Sequence, residues 1–234
     1  MRHAAAPVTR YHFGTKTRAT WPSTRRRGTR PDAPRRLRVA VTGNIASGKS
    51  TVARLFEAWG AERVDADAIT RQLQAPGQPV FDAIVRRFGN QVLQPDGSLD
   101  RGRLRDIILA DPAARAELNA IVHPAVYEAI DALGTQRSAF GPQPIIIEIP
   151  LLFETGAADR FDRVVLVEAP RATILERLVD GRGLDPVTAA RFLDAQADAA
   201  DVRRFSDFVI ENDGSLAQLE AAARAVWRKL PHPA

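Results

Sequence analysis

Nine residues, Gly43-Asn44-Ile45-Ala46-Ser47-Gly48-Lys49-Ser50-Thr51, constrain the fold of this chain more than any other stretch of it. They fit G-x-x-x-x-G-K-[ST], the phosphate-binding P-loop pattern, which has mechanical meaning only between a strand and a helix. Both neighbours are predicted. Leu37 to Val41 is a short apolar run that reads as a buried strand. Val52, Leu55, Phe56 and Trp59 then recur at i, i+3, i+4 and i+7, one face of a helix that stops at Gly60. Strand, glycine-rich turn and helix N-terminus bring successive backbone N–H groups around an anion, and the helix dipole adds positive potential. In such a loop Lys49 is expected to reach the β- and γ-phosphates, and the Ser50 hydroxyl to ligate Mg²⁺. The alternative is a chance glycine-rich turn; the full pattern in its required context outweighs it. Residues Gly43 to Thr51 are therefore expected to cradle a nucleoside triphosphate, with Mg²⁺ at Ser50.

Composition removes several other chemistries. With no cysteine among 234 residues, disulfides, thiolate metal sites and cysteine nucleophiles are excluded. The four histidines, His3, His12, His123 and His232, are too scattered to suggest a metal cluster. The longest apolar stretch, Ile145 to Phe153, is broken by Glu148 and Pro150 and is far too short to span a bilayer. No signal-peptide core is present, so a soluble, cytoplasmic protein with no membrane partner is expected.

The basic balance of the chain comes from one end. Residues 1–36 hold ten Lys/Arg against Asp32 alone, a net of +9, whereas the whole chain carries +5, so residues 37–234 sum to −4. An acidic body argues against a nucleic-acid surface, which shows as a basic face on the fold itself. Residues 1–36 lack periodicity and large aliphatics and read as a disordered basic tail. An upstream extension without a role is favoured for it over a transit peptide or a polyanion-binding arm.

Beyond the tail, short apolar runs alternate with helical patterns, the mark of parallel βαβ architecture. Arg63-Val64-Asp65, Ile145 to Ile149, Arg163 to Val167 and Phe208 to Ile210 join the first strand. The fold class expected is α/β, a P-loop three-layer α/β/α core with a five-stranded parallel sheet, built from 37–65 and 144–230. Ser215 with Gln218 makes a capping box for a closing helix whose apolar face is Leu216, Leu219, Val226, Trp227 and Leu230. Between Asp65 and Pro144 the signals are helical: Asp111-Pro112 as a start, then stripes Leu118, Ile121, Val122 and, from Pro124, Val126, Ile130, Leu133. Gln94 to Ser98 reads as a turn. Residues 66–143 are thus a helical insert, and by fold analogy such inserts hold the acceptor. A smaller segment, 178–199, has flexible Gly181-Arg182-Gly183 and a helix restart at Asp185-Pro186, and suits a lid over the triphosphate.

A P-loop alone leaves kinases, GTPases and ATPase motors open. The guanine-reading Asn-Lys-x-Asp is absent, and the body has only Lys49 and Lys229 as lysines. Motor ATPases carry a long apolar strand ending in an acidic pair, and more chain. A phosphotransferase needs an acceptor pocket, a carboxylate near the acceptor hydroxyl and positive charge around the moving phosphoryl group. Candidates for all three are present.

Here a resemblance becomes specific. Thr42-Gly43 followed by Ile45 to Thr51 looks like the opening of dephospho-coenzyme A kinases. Asp65-Ala66-Asp67 and Arg71 resemble that family's segment after the second strand. Leu118 to Pro124, with His123-Pro124, and Pro150-Leu151-Leu152-Phe153-Glu154 are similar to two more. Arg177, Arg191 and Gln196 fall where its lid pattern places them, and Asp207, Ile210, Asn212 and Gly214 resemble its last strand and turn. The resemblance spans about residues 37–230. It implies transfer of the γ-phosphoryl of ATP to the ribose 3′-hydroxyl of dephospho-coenzyme A, the last step of coenzyme A synthesis. Another small-molecule kinase, or a nucleotide-dependent module without an acceptor, are the rival readings, and the oligomeric state is left open.

Roles follow residue by residue. Asp67 is expected to orient the attacking hydroxyl, the alternative being a helix cap. Asp65, Arg71, His123 and Glu154 are expected at the acceptor, although His123 could be a packed residue and Glu154 a plain strand exit. Arg177 and Arg182 flank the lid glycines, and a guanidinium fork stabilises charge on a transferring phosphoryl group. Asn212 and Gly214 are implied, by the resemblance, to lie against the adenine. Glu148, after an apolar strand, stands where some P-loop enzymes hold a magnesium-organising acid, but its spacing is loose and it is not selected. Two departures stand out. Asn44 replaces the family's second glycine, tolerable because Asn accepts left-handed geometry. The lid reads Asp180-Gly181-Arg182-Gly183, where many relatives have arginine at 181 or 182.

Overall fold

Five short segments pair as parallel strands, and the three inner ones, mainly aliphatic, are buried on both faces. The computed structural model describes residues 36–135, 143–150, 152, 157–194 and 199–231. These divide into two units, one built on residues 67–129 and one on the described residues before and after them. The division falls inside the limits of 66–143 read for the insert.

The larger unit holds the sheet. Its strands are β1 (Arg38–Thr42), β2 (Glu62–Asp65), β3 (Ile145–Glu148), β4 (Arg163–Glu168) and β5 (Phe208–Glu211). They lie in the order β2-β3-β1-β4-β5, every neighbouring pair parallel. Asp162 and Asp207 each accept the first free N–H of an adjacent strand, from Arg38 and Val164, both at 2.8 Å. Parallel strands buried on both sides read as continuous β-branched runs, which is why Ile145-Ile146-Ile147 and Val164 to Val167 were legible. All five carboxyl ends lie along one edge, the edge where open α/β sheets bind ligands.

One face of the sheet is covered by α1 (Lys49–Ala58) and by a helix over Leu216–Trp227 near the C-terminus. In α1 the predicted stripe holds: Val52 and Phe56 are fully buried, and Leu55 and Trp59 pack at the margin. Burying Phe56 contributes about 1.5–3 kcal/mol. The Leu216–Trp227 helix starts at the predicted capping box, Ser215 N donating to Gln218 Oε1 at 2.7 Å and Gln218 N to Ser215 Oγ at 3.3 Å. Leu216 departs from its expected apolar face; at the first helical position it is exposed. Phe56, Trp59 and Trp227 stack with centroids 5.5–6.2 Å apart, and Arg224 lies 3.7 Å over the Trp59 ring. Arg36, assigned to the tail from sequence, is buried and paired with Glu62, because its guanidinium finds an acid at the start of β2. The remainder of the tail lies outside the described residues.

In the smaller unit, α2 (Ala66–Leu73) leads to α3 (Pro79–Phe88), α4 (Arg101–Ala110) and α5 (Pro112–Thr135). Asp100 caps α4 by accepting from Arg103 N at 2.9 Å, and Asp111 accepts from Ala113 N at 2.8 Å at the head of α5. The turn read at Gln94 to Ser98 is present, closed by Gln94 N donating to Ser98 O at 2.8 Å. α5 corrects the reading of two stripes separated at Pro124. Leu118, Val122, Val126 and Ile130 are buried at i+4 spacing straight through it, so packing carries one helix past the lost N–H.

The lid region also differs. Gly181 and Arg182 form the last turn of α6 (Arg171–Arg182) rather than a flexible loop, and Gly183 ends it with a left-handed φ of 66°. Asp185 then caps α7 (Pro186–Asp194), accepting from Val187 N at 3.1 Å and Thr188 N at 3.0 Å. Ile174, Leu178, Ala189 and Leu193 make a small core between α6 and α7. Arg171 and Asp194 close its open end at 2.8 Å. α8 (Ala199–Arg204) follows, and the Leu216–Trp227 helix is α9.

Candidate active site

The loop between β1 and α1 is shaped by what it touches. Gly43 is buried, and a Cβ there would stand 2.1 Å from the Val167 carbonyl oxygen of β4, so only glycine allows that approach. Gly48 has φ 101°, and its Cβ would meet Asn212 Nδ2 at 2.2 Å. Among the described residues the non-glycine one in left-handed geometry is Ala46, at φ 57°; Asn44, which could have tolerated that geometry, does not adopt it. The reversal falls there because Ser47 N donates to Asn44 O at 3.1 Å, folding the loop into a turn two residues past its entry. Ile45 and Ala46 pack against the α6–α7 core. Lys49 opens α1, only 8% exposed, its Nζ donating to Asn44 O at 3.2 Å. Ser50 and Thr51 occupy the same first turn, with Thr51 N donating to Gly48 O at 3.0 Å.

At the sheet edge, the exposed Ser50 hydroxyl donates to Glu148 Oε1 at the end of β3. Asp65 pairs in register with Glu148 across β2 and β3. A hydroxyl and two carboxylates at neighbouring strand ends are the oxygen donors a hard divalent cation takes. Sequence reasoning set Glu148 aside; its signal was the position directly after Ile145-Ile146-Ile147, one strand away from the loop.

On the other side of the loop stand Asn212 and Arg177. Asn212, which follows β5, is buried and donates from Nδ2 to Ser47 O at 2.7 Å. Arg177 of α6 donates to Ala46 O at 3.2 Å and reaches Asn212 O and Oδ1 at 3.4 Å. Gly214 lies in the turn before the Ser215 cap. Beside them opens a cleft of about 320 Å³ lined by Asn44, Glu168, Ala169, Pro170, Glu211 and Asp213 among others. Arg203 of α8 bridges Glu168 at 2.6 Å and Glu211 at 2.9 Å at its rim. Arg182 is exposed at the end of α6.

In the smaller unit, Asp67 sits in the first turn of α2 and Arg71 in its last, both exposed and one turn apart on one helix face. His123 lies half-buried in α5 beside Tyr127, ring centroids 6.0 Å apart. Burial pulls its imidazole below the ordinary value, because desolvation disfavours the charged form. Glu154 and Gln196 lie outside the described residues.

A P-loop at the centre of a five-stranded parallel sheet, flanked by helices, defines an α/β nucleotide-binding protein of the P-loop class. A family model described as dephospho-CoA kinase matches residues 37–218. The chain belongs to the dephospho-CoA kinase family. A dephospho-CoA kinase of Thermobifida fusca is 42% identical over 194 residues, 83% of this chain and 96% of the relative. One of Streptomyces avermitilis is 44% identical over 198 residues, 85% and 96%. A crystal structure from Thermus thermophilus matches with a TM-score of 0.70 at 32% identity, covering 84% of this chain and 99% of that one. The dephospho-CoA kinase of Campylobacter jejuni matches at 0.61 and 25% identity, over 82% and 96%. No helix among the described residues is long and apolar enough to cross a membrane.

Proposed function

We infer that this protein transfers the γ-phosphoryl group of ATP to the ribose 3′-hydroxyl of dephospho-coenzyme A, releasing coenzyme A and ADP. The observation that carries this is an intact P-loop inside a match of over 40% identity that runs nearly the whole length of dephospho-CoA kinases. The loop amides and Lys49 hold the triphosphate, and the cleft beside Asn44 and Asp213 takes its nucleoside end. Asp67 aligns the acceptor hydroxyl and accepts its proton as the bond to phosphorus forms. Arg71, Asp65, His123 and Glu154 are assigned to the acceptor. Arg182, at the end of α6, supplies positive charge to the moving phosphoryl group and helps exclude water. Ser50 would hold Mg²⁺, with Glu148 organising its shell, and the ion would supply positive charge to the phosphate oxygens. The reading places the enzyme in the cytoplasm, where ATP is supplied.

ADP release measured with Mg-ATP, with and without dephospho-coenzyme A, tests the inference. Strong acceptor-dependent turnover, with the product's mass matching coenzyme A, is expected; ATP binding without stimulation by that acceptor would overturn the substrate. The magnesium assignment has its own check. Glu148→Gln should raise the Mg²⁺ concentration for half-maximal rate about tenfold while ATP binding without metal is unchanged. An unaltered Mg²⁺ titration would remove Glu148 from that role.

A further inference from the structure

We propose that Asn212 and Arg177 are positioning residues that hold the phosphate loop in its anion-accepting shape. They thereby set its affinity for the polyphosphate end of the ligand rather than reading the base. The proposal rests on the reading that this loop binds a triphosphate, and goes beyond it by giving these two side chains a different task from direct ligand contact.

Two successive loop carbonyls are held from outside the loop. Asn212 Nδ2 donates to Ser47 O at 2.7 Å, and Arg177 donates to Ala46 O at 3.2 Å. Because a trans peptide points its C=O and N–H in opposite directions, fixing the Ser47 carbonyl toward Asn212 turns the Gly48 N–H away from it. N–H groups aimed this way at a helix N-terminus are what an anion collects. The Ala46 carbonyl belongs to the residue in left-handed geometry, which a side chain with a Cβ disfavours. Such a conformation persists only where its surroundings over-determine it, and the Arg177 bond is a contact that does so.

The clamp is itself fixed. Asn212 N donates to Glu168 O at 2.7 Å, tying its backbone to the end of β4. Its Oδ1 faces Arg177 at 3.4 Å while its Nδ2 faces a carbonyl, so the network permits only one orientation of the amide. Asn212 also presses on Gly48 so closely that a Cβ there would stand 2.2 Å from Nδ2. Its amide is therefore committed to the loop.

Binding of three ligands separates this from a base contact: ATP, inorganic tripolyphosphate and adenosine, the last two by competition against ATP. Asn212→Ala removes the amide without changing charge, and Arg177→Lys keeps the charge but loses the planar fork. Each variant is expected to weaken ATP and tripolyphosphate by the same factor, about tenfold, with adenosine affinity unchanged. A merely structural role would not divide the ligands in this way. Weaker ATP and adenosine with tripolyphosphate unaltered would overturn the proposal in favour of a base contact. No change for any ligand would overturn it as well, showing that the loop holds its own shape. If Asn212→Ala does not fold, Arg177→Lys carries the same outcomes. A wild-type protein that bound neither ATP nor tripolyphosphate would instead remove the phosphate-loop reading itself.

Discussion

Lys49→Met is expected to lower turnover by about two to three orders of magnitude, the usual loss when a fixed electrostatic partner of the transition state is removed. Lys49 is only 8% exposed, and its ammonium rests on the Asn44 carbonyl at 3.2 Å, inside the loop proposed to receive the phosphates. A charge held there is screened by little water and has little to reorganise as negative charge moves between phosphate oxygens. Methionine keeps the length and apolar stem while deleting the charge. The fold should therefore tolerate it, since α1 is anchored by Val52, Ala53 and Phe56 rather than by Lys49. Steady-state kinetics beside a thermal melt decide the matter. A fall in kcat with an unchanged melting temperature is expected; a large loss of stability with normal turnover in the folded fraction would make Lys49 structural.

Asp67→Asn is the second large effect, a fall in kcat of about 10²–10⁴ with a modest change in KM for either substrate. Asparagine retains the size and capping ability of aspartate at a helix start, so any contribution of Asp67 to α2 survives the change. What is lost is the negative charge and the capacity to accept a proton. The substitution thus isolates chemistry from helix formation. Near-normal turnover in Asp67→Asn would sink the role.

The parts of this molecule that could be read in advance are those whose cause is local. The inner strands announced themselves as apolar runs, the capping box as Ser215 with Gln218, and the phosphate loop as a fixed spacing of glycines and lysine. Errors arose where tertiary packing outweighs a local signal. Pro124 normally ends a helix, yet buried residues at i+4 spacing on both sides keep α5 whole. Gly181 suggests a loop, yet Leu178 is anchored beneath α7 and the helix runs on to Arg182. The contacts of the site were harder still. Glu148 meets Ser50 across 98 residues, and Asn212 meets Ser47 across 165. Such pairings are set by strand order, and strand order is not written in any short window of sequence.

The stack of Phe56, Trp59 and Trp227 gives the nucleotide-binding unit a built-in optical signal. α1 begins at the phosphate loop and Trp59 follows its last turn, about 15 Å further along the axis. There it meets Trp227 at 6.2 Å under the Arg224 guanidinium. The chain has three tryptophans, so replacing Trp21 by phenylalanine would leave emission from these two alone. That emission would follow the docking of α9 onto α1 without any attached label. It lies at the opposite end of α1 from the phosphate loop, out of direct contact with an anion held there. A change of intensity on titration would therefore report movement of the helix itself.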